Sequence, residues 1–187
     1  MNSQIDATIK VLKAGGVILY PTDTIWGLGC DATNAQAVEK IYKIKERADS
    51  KSLITLVANI DMVGMYVKEI PEIAISLMEV NDKPMTIIYP GAIGLAKNVI
   101  AEDGSIGIRV PNNIFCTRLI SKFRRAIVST SANISGEKAP LDFESIPQAI
   151  KDAVDFIVDP SMEEDSFNKA SQIIKVGLTN EITIIRE

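Results

Sequence analysis

Apolar residues recur along this chain at two spacings, one typical of helices and one typical of buried strands. Ile5, Ile9 and Leu12 share one helical face, with Ser3 as a candidate N-cap. Val17-Ile18-Leu19-Tyr20 is an unbroken apolar run closed by proline, which is typical of a buried strand. These patterns predict helices over residues 3–14, 33–44, 71–80, 114–123 and 145–153, and strands over 17–20, 53–58, 86–89, 105–110, 126–130, 156–158, 172–176 and 182–185.

The order of these elements indicates an α/β fold. Strands and helices alternate, but not in the strict rhythm of a doubly wound parallel sheet, so we expect a mixed, twisted β-sheet flanked by helices. Residues 22–32 are predicted to form a loop, and Thr33 with Gln36 has the spacing of a capping box for the second helix. No repeat or low-complexity tract divides the chain, so a single domain is expected over residues 1–187.

The composition is that of a folded domain, and it limits the kinds of partner that the protein is expected to bind. Hydrophobic residues make up 47% and charged residues 24% of the 187 positions, enough for a sizeable core. The apolar runs are too short for a membrane span and no secretory signal pattern is visible, so a cytoplasmic protein without membrane contact is expected. The formal net charge of −4 argues against nucleic-acid binding by the whole surface. A polyanion site must then come from the local cluster Lys40, Lys43, Lys45, Arg47 and Lys51.

The missing residue types exclude several kinds of chemistry. The chain has no histidine, which removes serine–histidine and cysteine–histidine nucleophiles and histidine-ligated zinc. Its two cysteines, Cys30 and Cys116, are too distant in sequence to indicate a zinc cluster. Neither a G-x-x-x-x-G-K-[ST] motif nor a G-x-G-x-x-G motif after a strand is present, so a nucleotide site must be of another design.

The segment after the first strand, Thr22-Asp23-Thr24, is the first candidate for binding chemistry. Its hydroxyls and carboxylate can hold the ammonium group of an amino acid, or they can form an ordinary turn beside a core tryptophan. Gly27 and Gly29 would allow the backbone to approach a ligand closely.

Three further polar features also have two interpretations each. Cations at the end of the second helix favour the helix dipole, but they also suit a clamp for a triphosphate. Ser131 and Asn133 follow a strand, where ligands bind in α/β sheets and where turns and helix caps are also common. Arg109 lies within an apolar strand and needs an anionic partner, either a ligand or an internal carboxylate.

Taken together and in this order, the segments resemble the YrdC-like family of threonylcarbamoyl-AMP synthases. The matching motifs are Pro-Thr-Asp-Thr-Ile-Trp-Gly-Leu at 21–28, Lys-x-Arg at 45–47, Gly-Ile-Arg-Val-Pro at 107–111 and Ser-x-Asn-x-Ser-Gly at 131–136. The resemblance extends from about Ile9 to Arg186. It implies the short, single-domain form of the family, with a YrdC-like fold around a concave, positively charged cavity.

The resemblance implies an ATP-dependent nucleotidyltransferase. Family members make threonylcarbamoyl-AMP from L-threonine, bicarbonate and ATP and release pyrophosphate, and downstream proteins transfer the threonylcarbamoyl group to tRNA. The threonine amine forms a carbamate whose oxygen attacks the α-phosphate, so positioning and charge neutralisation matter more than a strong base. Mg²⁺ is expected to be held through the ATP phosphates rather than by protein ligands.

Individual roles follow from the resemblance position by position. The expected catalytic residues are Lys45 and Arg47, the Lys-x-Arg pair. The expected L-threonine contacts are Thr24, Arg109, Ser131 and Ser171. The expected ATP contacts are Arg47, Lys51, Ser105, Asn133 and Arg186.

The chain departs from the family pattern at three places. Ala48 and Ser52 replace frequent prolines, which predicts a looser loop there; Leu56 stands where some members carry histidine, which removes one substrate contact. Residues 139–141, Ala-Pro-Leu, replace Ser-Pro-Thr and its hydroxyl contacts to phosphate.

Two other functions remain alternatives: a module that binds tRNA or double-stranded RNA without catalysis, and a related carbamoyl adenylation. The net charge and the lack of an aromatic stacking platform disfavour the first. The second occurs in larger relatives with added zinc-binding and acylphosphatase-like segments.

Overall fold

A computed structural model describes residues 1–46, 53–164 and 166–187 of the chain. Its helices are α1 (Asn2–Lys13), α2 (Ala35–Ile44), α3 (Ile60–Val63), α4 (Glu72–Val80), α5 (Ile114–Phe123) and α6 (Gln148–Ala153), and a 3₁₀ turn occupies Pro160–Met162. Its strands are β1 (Ile18–Tyr20), β2 (Gly27–Gly29), β3 (Ile54–Leu56), β4 (Met85–Tyr89), β5 (Ile106–Arg109), β6 (Ile127–Ser131), β7 (Phe156–Ile157), β8 (Gln172–Val176) and β9 (Ile182–Arg186).

The strands of the described residues form one mixed sheet in the order β7-β1-β2-β6-β3-β5-β4-β8-β9. Parallel pairs join β7 to β1, β3 to β5 and β4 to β8, and the other neighbours are antiparallel. The predicted mixed sheet flanked by helices is therefore confirmed. Its register sets Gly27 opposite Ser131 and Leu56 opposite Arg109, so segments distant in sequence meet at the middle of the sheet.

The helices cover the sheet with the apolar faces that the sequence pattern predicts. Ile5, Ile9 and Leu12 of α1 are buried, and α1 packs against α5. The bounds of α5 are those predicted, and the Asn113 side chain caps it by accepting from the Cys116 N–H. Each large apolar side chain that is fully buried contributes about 1.5–3 kcal/mol, so these faces are a main source of stability. Within the described ranges, the helices are too short or too polar to cross a membrane.

The starts of four helices, α1, α2, α4 and α6, differ from the predicted ones by one to three residues. Asn34, not Thr33, caps α2, because its side-chain oxygen accepts from the amides of Gln36 and Ala37. Thr33 instead donates its hydroxyl to Asp31 at 2.7 Å. Helix α1 begins at Asn2 without a side-chain cap, so Ser3 lies inside the helix.

Strand β2 lies within the segment predicted to be a loop. The pattern Gly-Leu-Gly carries little strand propensity, and β2 forms because β1 and β6 pair with it on both sides. A Cβ atom on Gly29 would lie 2.6 Å from Cε1 of Tyr20 and 2.9 Å from the carbonyl oxygen of Val128. Gly29 is therefore required by sheet packing, whereas the sequence suggested that it lets a ligand approach.

We expect Gly29→Ala to lower the free energy of unfolding by about 1–3 kcal/mol, because the added methyl group overpacks the sheet. Gly64→Ala is the matched control, since Gly64 has φ −60° and the nearest atom to its Cβ position is 3.5 Å away. This control should stabilise the protein by roughly 0.4–1 kcal/mol. Urea denaturation of both variants measures the difference, and equal stabilities would contradict the packing argument.

Candidate functional site

A cavity of about 410 Å³ lies on one face of the sheet and brings the polar segments together. Its walls come from β2, β3, β4, β5, β6, β8 and β9 and from the loops beside them. The predicted site residues that line it are Thr24, Ser105, Arg109, Ser131, Asn133, Ser171 and Arg186. Of the remaining predicted residues, Arg47 and Lys51 lie outside the described residues, and Lys45 is not part of the described lining.

The loop after β1 presents Thr24 with a defined hydrogen-bonding role. The Thr22 hydroxyl donates to the Ile25 carbonyl at 2.7 Å and lies 2.9 Å from the Thr24 hydroxyl. Because Thr22 has only one proton to donate, Thr24 must be the donor in the bond between them. The lone pairs of Thr24 Oγ1 are then left to accept a hydrogen bond from a ligand in the cavity.

Arg109 finds its anionic partner inside the protein. Its guanidinium donates from Nη1 to Asp23, whose second carboxylate oxygen accepts from the Asn112 amide at 3.1 Å. Both charged side chains are almost completely buried. The Asp23 carboxylate is thus the internal anion that Arg109 needs, and the predicted contact of Asp23 with a ligand ammonium stays a prediction. Nε of Arg109 is buried and has no hydrogen-bond partner among the described residues.

Ser105 is oriented by a carboxylate just before β5. Its hydroxyl donates to Asp103 at 2.5 Å, so the lone pairs of Ser105 Oγ are left as acceptors at the cavity wall. Lys175 contacts the other oxygen of Asp103 at 2.6 Å. Hydrogen bonds from Lys175 and then from Ser105 lower the pKa of the Asp103 carboxyl, so this residue accepts rather than donates at neutral pH.

Ser171 and Arg186 form the opposite wall. Arg186 donates from Nε and Nη2 to the Ser171 carbonyl at 3.0 and 2.7 Å, while the Ser171 hydroxyl lies 2.8 Å from that of Thr86. Burial, and then the positive charge of Arg109, lower the pKa of Arg186. The two guanidinium groups are thus close enough to influence each other.

Asn133 uses its side chain within its own loop. Its amide nitrogen donates to the carbonyls of Ile134 at 3.0 Å and Glu137 at 2.8 Å. These two bonds use both amide protons, so Asn133 lines the cavity mainly as a loop organiser. The neighbouring Ser131 hydroxyl makes no hydrogen bond to the described residues and lines the cavity.

Lys45 does not belong to the described lining of the cavity. Its side chain is buried, and Nζ donates to the carbonyls of Ser131 at 2.5 Å and Asn133 at 2.7 Å. The other described members of the basic cluster also have separate partners: Lys40 contacts the Gly15 carbonyl, and Lys43 pairs with Glu39. Because Arg47 and Lys51 lie outside the described residues, a shared polyanion site at this cluster stays a prediction.

Several cavity residues were missed by the sequence interpretation, among them Thr86, Glu137 and Trp26. Thr86 interrupts an apolar strand, a pattern that could have indicated it, but Glu137 carried no such signal. Trp26 forms part of the wall, packs on Phe143 with ring centroids 4.9 Å apart, and has a buried indole N–H without a partner among the described residues. The charged side chains of the described lining are Arg109, Arg186 and Glu137. A net positive cavity therefore stays a prediction.

The residues at which this chain departs from the family pattern lie in different environments. Leu56 is fully buried in the core, and it is not part of the described cavity lining. Ala139 lines the cavity, whereas Leu141 is exposed. In the described ranges, no three acidic, cysteine or histidine side chains gather where they could hold a metal ion.

Comparison with known proteins adds independent information. A family model described as telomere recombination (Sua5/YciO/YrdC) matches residues 10–187. A threonylcarbamoyl-AMP synthase of Pseudoalteromonas translucida is 33% identical over 180 residues, which cover 89% of this chain and 95% of that protein.

Solved structures agree with the sequence relatives. The structure of an H234A/Y235A variant of Sua5 from P. abyssi superposes with a TM-score of 0.87 at 25% identity, covering 97% of this chain and 55% of that one. The P. abyssi Sua5 complex with L-threonine gives a TM-score of 0.84 at 25% identity, covering 92% and 50%. This chain thus spans about half the length of those two. From the family match, the sequence relative and the shared fold, we conclude that the chain belongs to the Sua5/YciO/YrdC family.

Proposed function

We propose that this protein makes threonylcarbamoyl-AMP from L-threonine, bicarbonate and ATP and releases pyrophosphate. The convergence of seven residues on one cavity carries the proposal: Thr24, Ser105, Arg109, Ser131, Asn133, Ser171 and Arg186. They come from five separated stretches of the chain, and the fold brings them to one face of the sheet. The name of the P. translucida relative and the L-threonine complex of P. abyssi Sua5 support the same reaction.

The amino-acid half of the site is assigned to Arg109, Thr24 and Ser131. A buried guanidinium whose Nε has no partner among the described residues suits a carboxylate, which it can bind with a charge-assisted hydrogen bond. The free lone pairs of Thr24 suit an N–H or O–H donor of the substrate. L-Threonine offers a carboxylate, an amine and a hydroxyl, so it can satisfy all three residues.

The nucleotide half is assigned to Ser105 and Arg186, together with Arg47 and Lys51 from the resemblance. The acceptor oxygen of Ser105 suits an amine or hydroxyl of the nucleoside. Arg186 keeps one guanidinium nitrogen, Nη1, beyond the two that bind the Ser171 carbonyl. That nitrogen can stabilise phosphate oxygens. The engaged amide of Asn133 supports a role in holding its loop rather than a direct contact to ATP.

The reaction needs positioning more than base catalysis. The threonine nitrogen adds to the carbon of bicarbonate, and water leaves to give an N-carboxylate. One oxygen of this carbamate attacks the α-phosphorus of ATP, and the bond to the β-phosphate oxygen breaks as pyrophosphate departs. Mg²⁺ enters with ATP as the metal–nucleotide substrate and neutralises phosphate charge. Glu137 is the one acidic residue of the described lining, and its carboxylate could accept hydrogen bonds from water bound to Mg²⁺.

The product is an activated acyl group that a partner must consume. We assign its transfer to downstream proteins that modify tRNA, consistent with the resemblance. No observation favours a separate RNA-binding function, since the described lysines of the basic cluster are engaged with their own partners.

Incubation with ATP, Mg²⁺, bicarbonate and L-threonine tests the proposal directly. Pyrophosphate release should require every component, and mass spectrometry should detect threonylcarbamoyl-AMP. L-Valine, a near-isostere of threonine, should be used at least about 10²-fold less efficiently, because it leaves polar site groups unpaired. Release that does not depend on threonine would remove the proposed function.

Thr24→Val tests the hydroxyl that faces the substrate. The change keeps the side-chain shape but leaves a substrate donor unpaired, so kcat/KM for L-threonine should fall about 5- to 150-fold. Thr55→Val is the matched control, because Thr55 is buried away from the cavity and its hydroxyl has no partner among the described residues. The control should keep full activity and a melting temperature at least as high. Similar activities of the two variants would exclude Thr24 from the site.

Arg47→Ala tests the predicted triphosphate contact. If Arg47 neutralises charge that develops on the phosphates, its loss should lower the adenylation rate about 10²–10³-fold. Arg47→Lys should restore only part of the rate, because an ammonium group lacks the bidentate fork. Arg118→Ala, at an exposed position of α5, is the control and should be neutral. A folded Arg47→Ala protein with near-normal pyrophosphate release would contradict the assignment.

A further inference from the structure

Lys45 occupies an unusual place for a lysine. It is the C-cap residue of α2, and its side chain is only 2% exposed, although lysines are almost never fully buried without partners. Its ammonium lies among oxygens of the turn after β6, because Nζ donates to the main-chain carbonyls of Ser131 and Asn133 at 2.5 and 2.7 Å and to Oδ1 of Asn133 at 3.4 Å. The main-chain carbonyl of Lys45 in turn accepts from the Ser135 amide at 2.9 Å.

These bonds join two segments that are 86 and 88 residues apart in sequence. One segment is the end of α2, and the other is the turn after β6, whose Ser131 and Asn133 side chains line the cavity. Lys45 therefore contacts the turn through its side chain and its main chain. Lys45 itself is not among the described residues that line the cavity.

We propose that Lys45 is a positioning residue that holds the turn at 131–135 in place to present Ser131 to L-threonine, and that it does not contact the substrate. The proposal rests on the proposed function for the identity of the ligand. Burying an ammonium group is costly unless it is fully hydrogen-bonded, so its retention at this point indicates that the bonds to the turn matter. The Lys-x-Arg motif then combines a lysine that positions the turn with an arginine predicted to bind phosphate.

The alternative, predicted from sequence, is that the Lys45 ammonium touches the phosphates. The two roles predict different effects of the substitution Lys45→Arg. A phosphate contact tolerates a guanidinium, which binds phosphate at least as well as an ammonium does. A buried ammonium group that donates to two carbonyls cannot be replaced by the larger, planar guanidinium group of arginine without displacing the turn.

The experiment compares the wild type with Lys45→Met, Lys45→Arg and the control Lys122→Met. Lys122 is also in the last turn of a helix, but it is exposed and pairs with Asp6 on the surface. Hydrogen–deuterium exchange of peptides covering 131–137 reports the turn without requiring activity. Steady-state kinetics separate the KM for L-threonine from kcat.

Lys45→Met should increase amide exchange in 131–137 about tenfold or more, because buried carbonyls lose their donor. The KM for L-threonine should rise about 10²-fold, the scale of a small misplacement of a binding group, and kcat should fall less. Lys45→Arg should resemble Lys45→Met in both measurements, whereas Lys122→Met should match the wild type.

The proposal would be overturned in favour of a phosphate contact by two results together. Amide exchange in residues 131–137 would equal that of the wild type in both Lys45 variants, and Lys45→Arg would restore activity. If Lys45→Met does not fold, Lys45→Gln, which keeps an amide donor, is judged by the same two measurements. A wild-type protein without threonine-dependent pyrophosphate release would overturn the proposed function, and the exchange data would still decide whether Lys45 holds the turn.

Discussion

A charged arginine in the interior of an apolar sheet has to be neutralised, and in this protein Asp23 neutralises Arg109. An unpaired guanidinium at this depth would be strongly destabilising, so the loop that carries Asp23 is constrained to reach β5. The same carboxylate accepts from the Asn112 amide just before α5, and the Asp23 carbonyl accepts from the Phe167 amide. One residue thereby connects the loop after β1, β5, the start of α5 and the segment before β8. The position of Thr24 at the cavity wall follows from these connections.

At the cavity wall, the hydroxyls of Thr24 and Ser105 donate their protons to other protein groups. Their oxygen atoms therefore remain as acceptors for a ligand, and the arginines remain as donors. Thr24 donates to Thr22 and Ser105 donates to Asp103, so each turns lone pairs toward the cavity. Arg109 and Arg186 are each held by a protein oxygen and still line the cavity. Groups that are oriented before the substrate arrives need little reorganisation during the reaction. This suits a chemistry in which the nucleophile is already an anion.

Much of the fold could be predicted because it depends on local patterns. Helix α5 and the apolar face of α1 follow from periodicity, and the order of strands and helices indicates a mixed sheet. Strand β2 could not be predicted, since two glycines give no pattern and the strand exists through its neighbours. The predicted Thr33 cap was wrong because Asn34, one residue later, reaches the free amides. Likewise, the sequence indicates that Arg109 needs an anionic partner. It does not reveal that this partner is Asp23, which is 86 residues away. The burial of Lys45 is another long-range contact that no spacing reveals.

The most direct test of the account is a crystal structure with L-threonine and a non-hydrolysable ATP analogue bound together. We predict that both ligands occupy the cavity of about 410 Å³. The threonine carboxylate should lie within hydrogen-bonding distance of the Arg109 guanidinium, and a threonine donor should contact Thr24 Oγ1. Lys45 Nζ should still donate to the carbonyls of Ser131 and Asn133. L-Threonine bound outside this cavity, or bound in it without contact to Arg109 or Thr24, would contradict the proposed site.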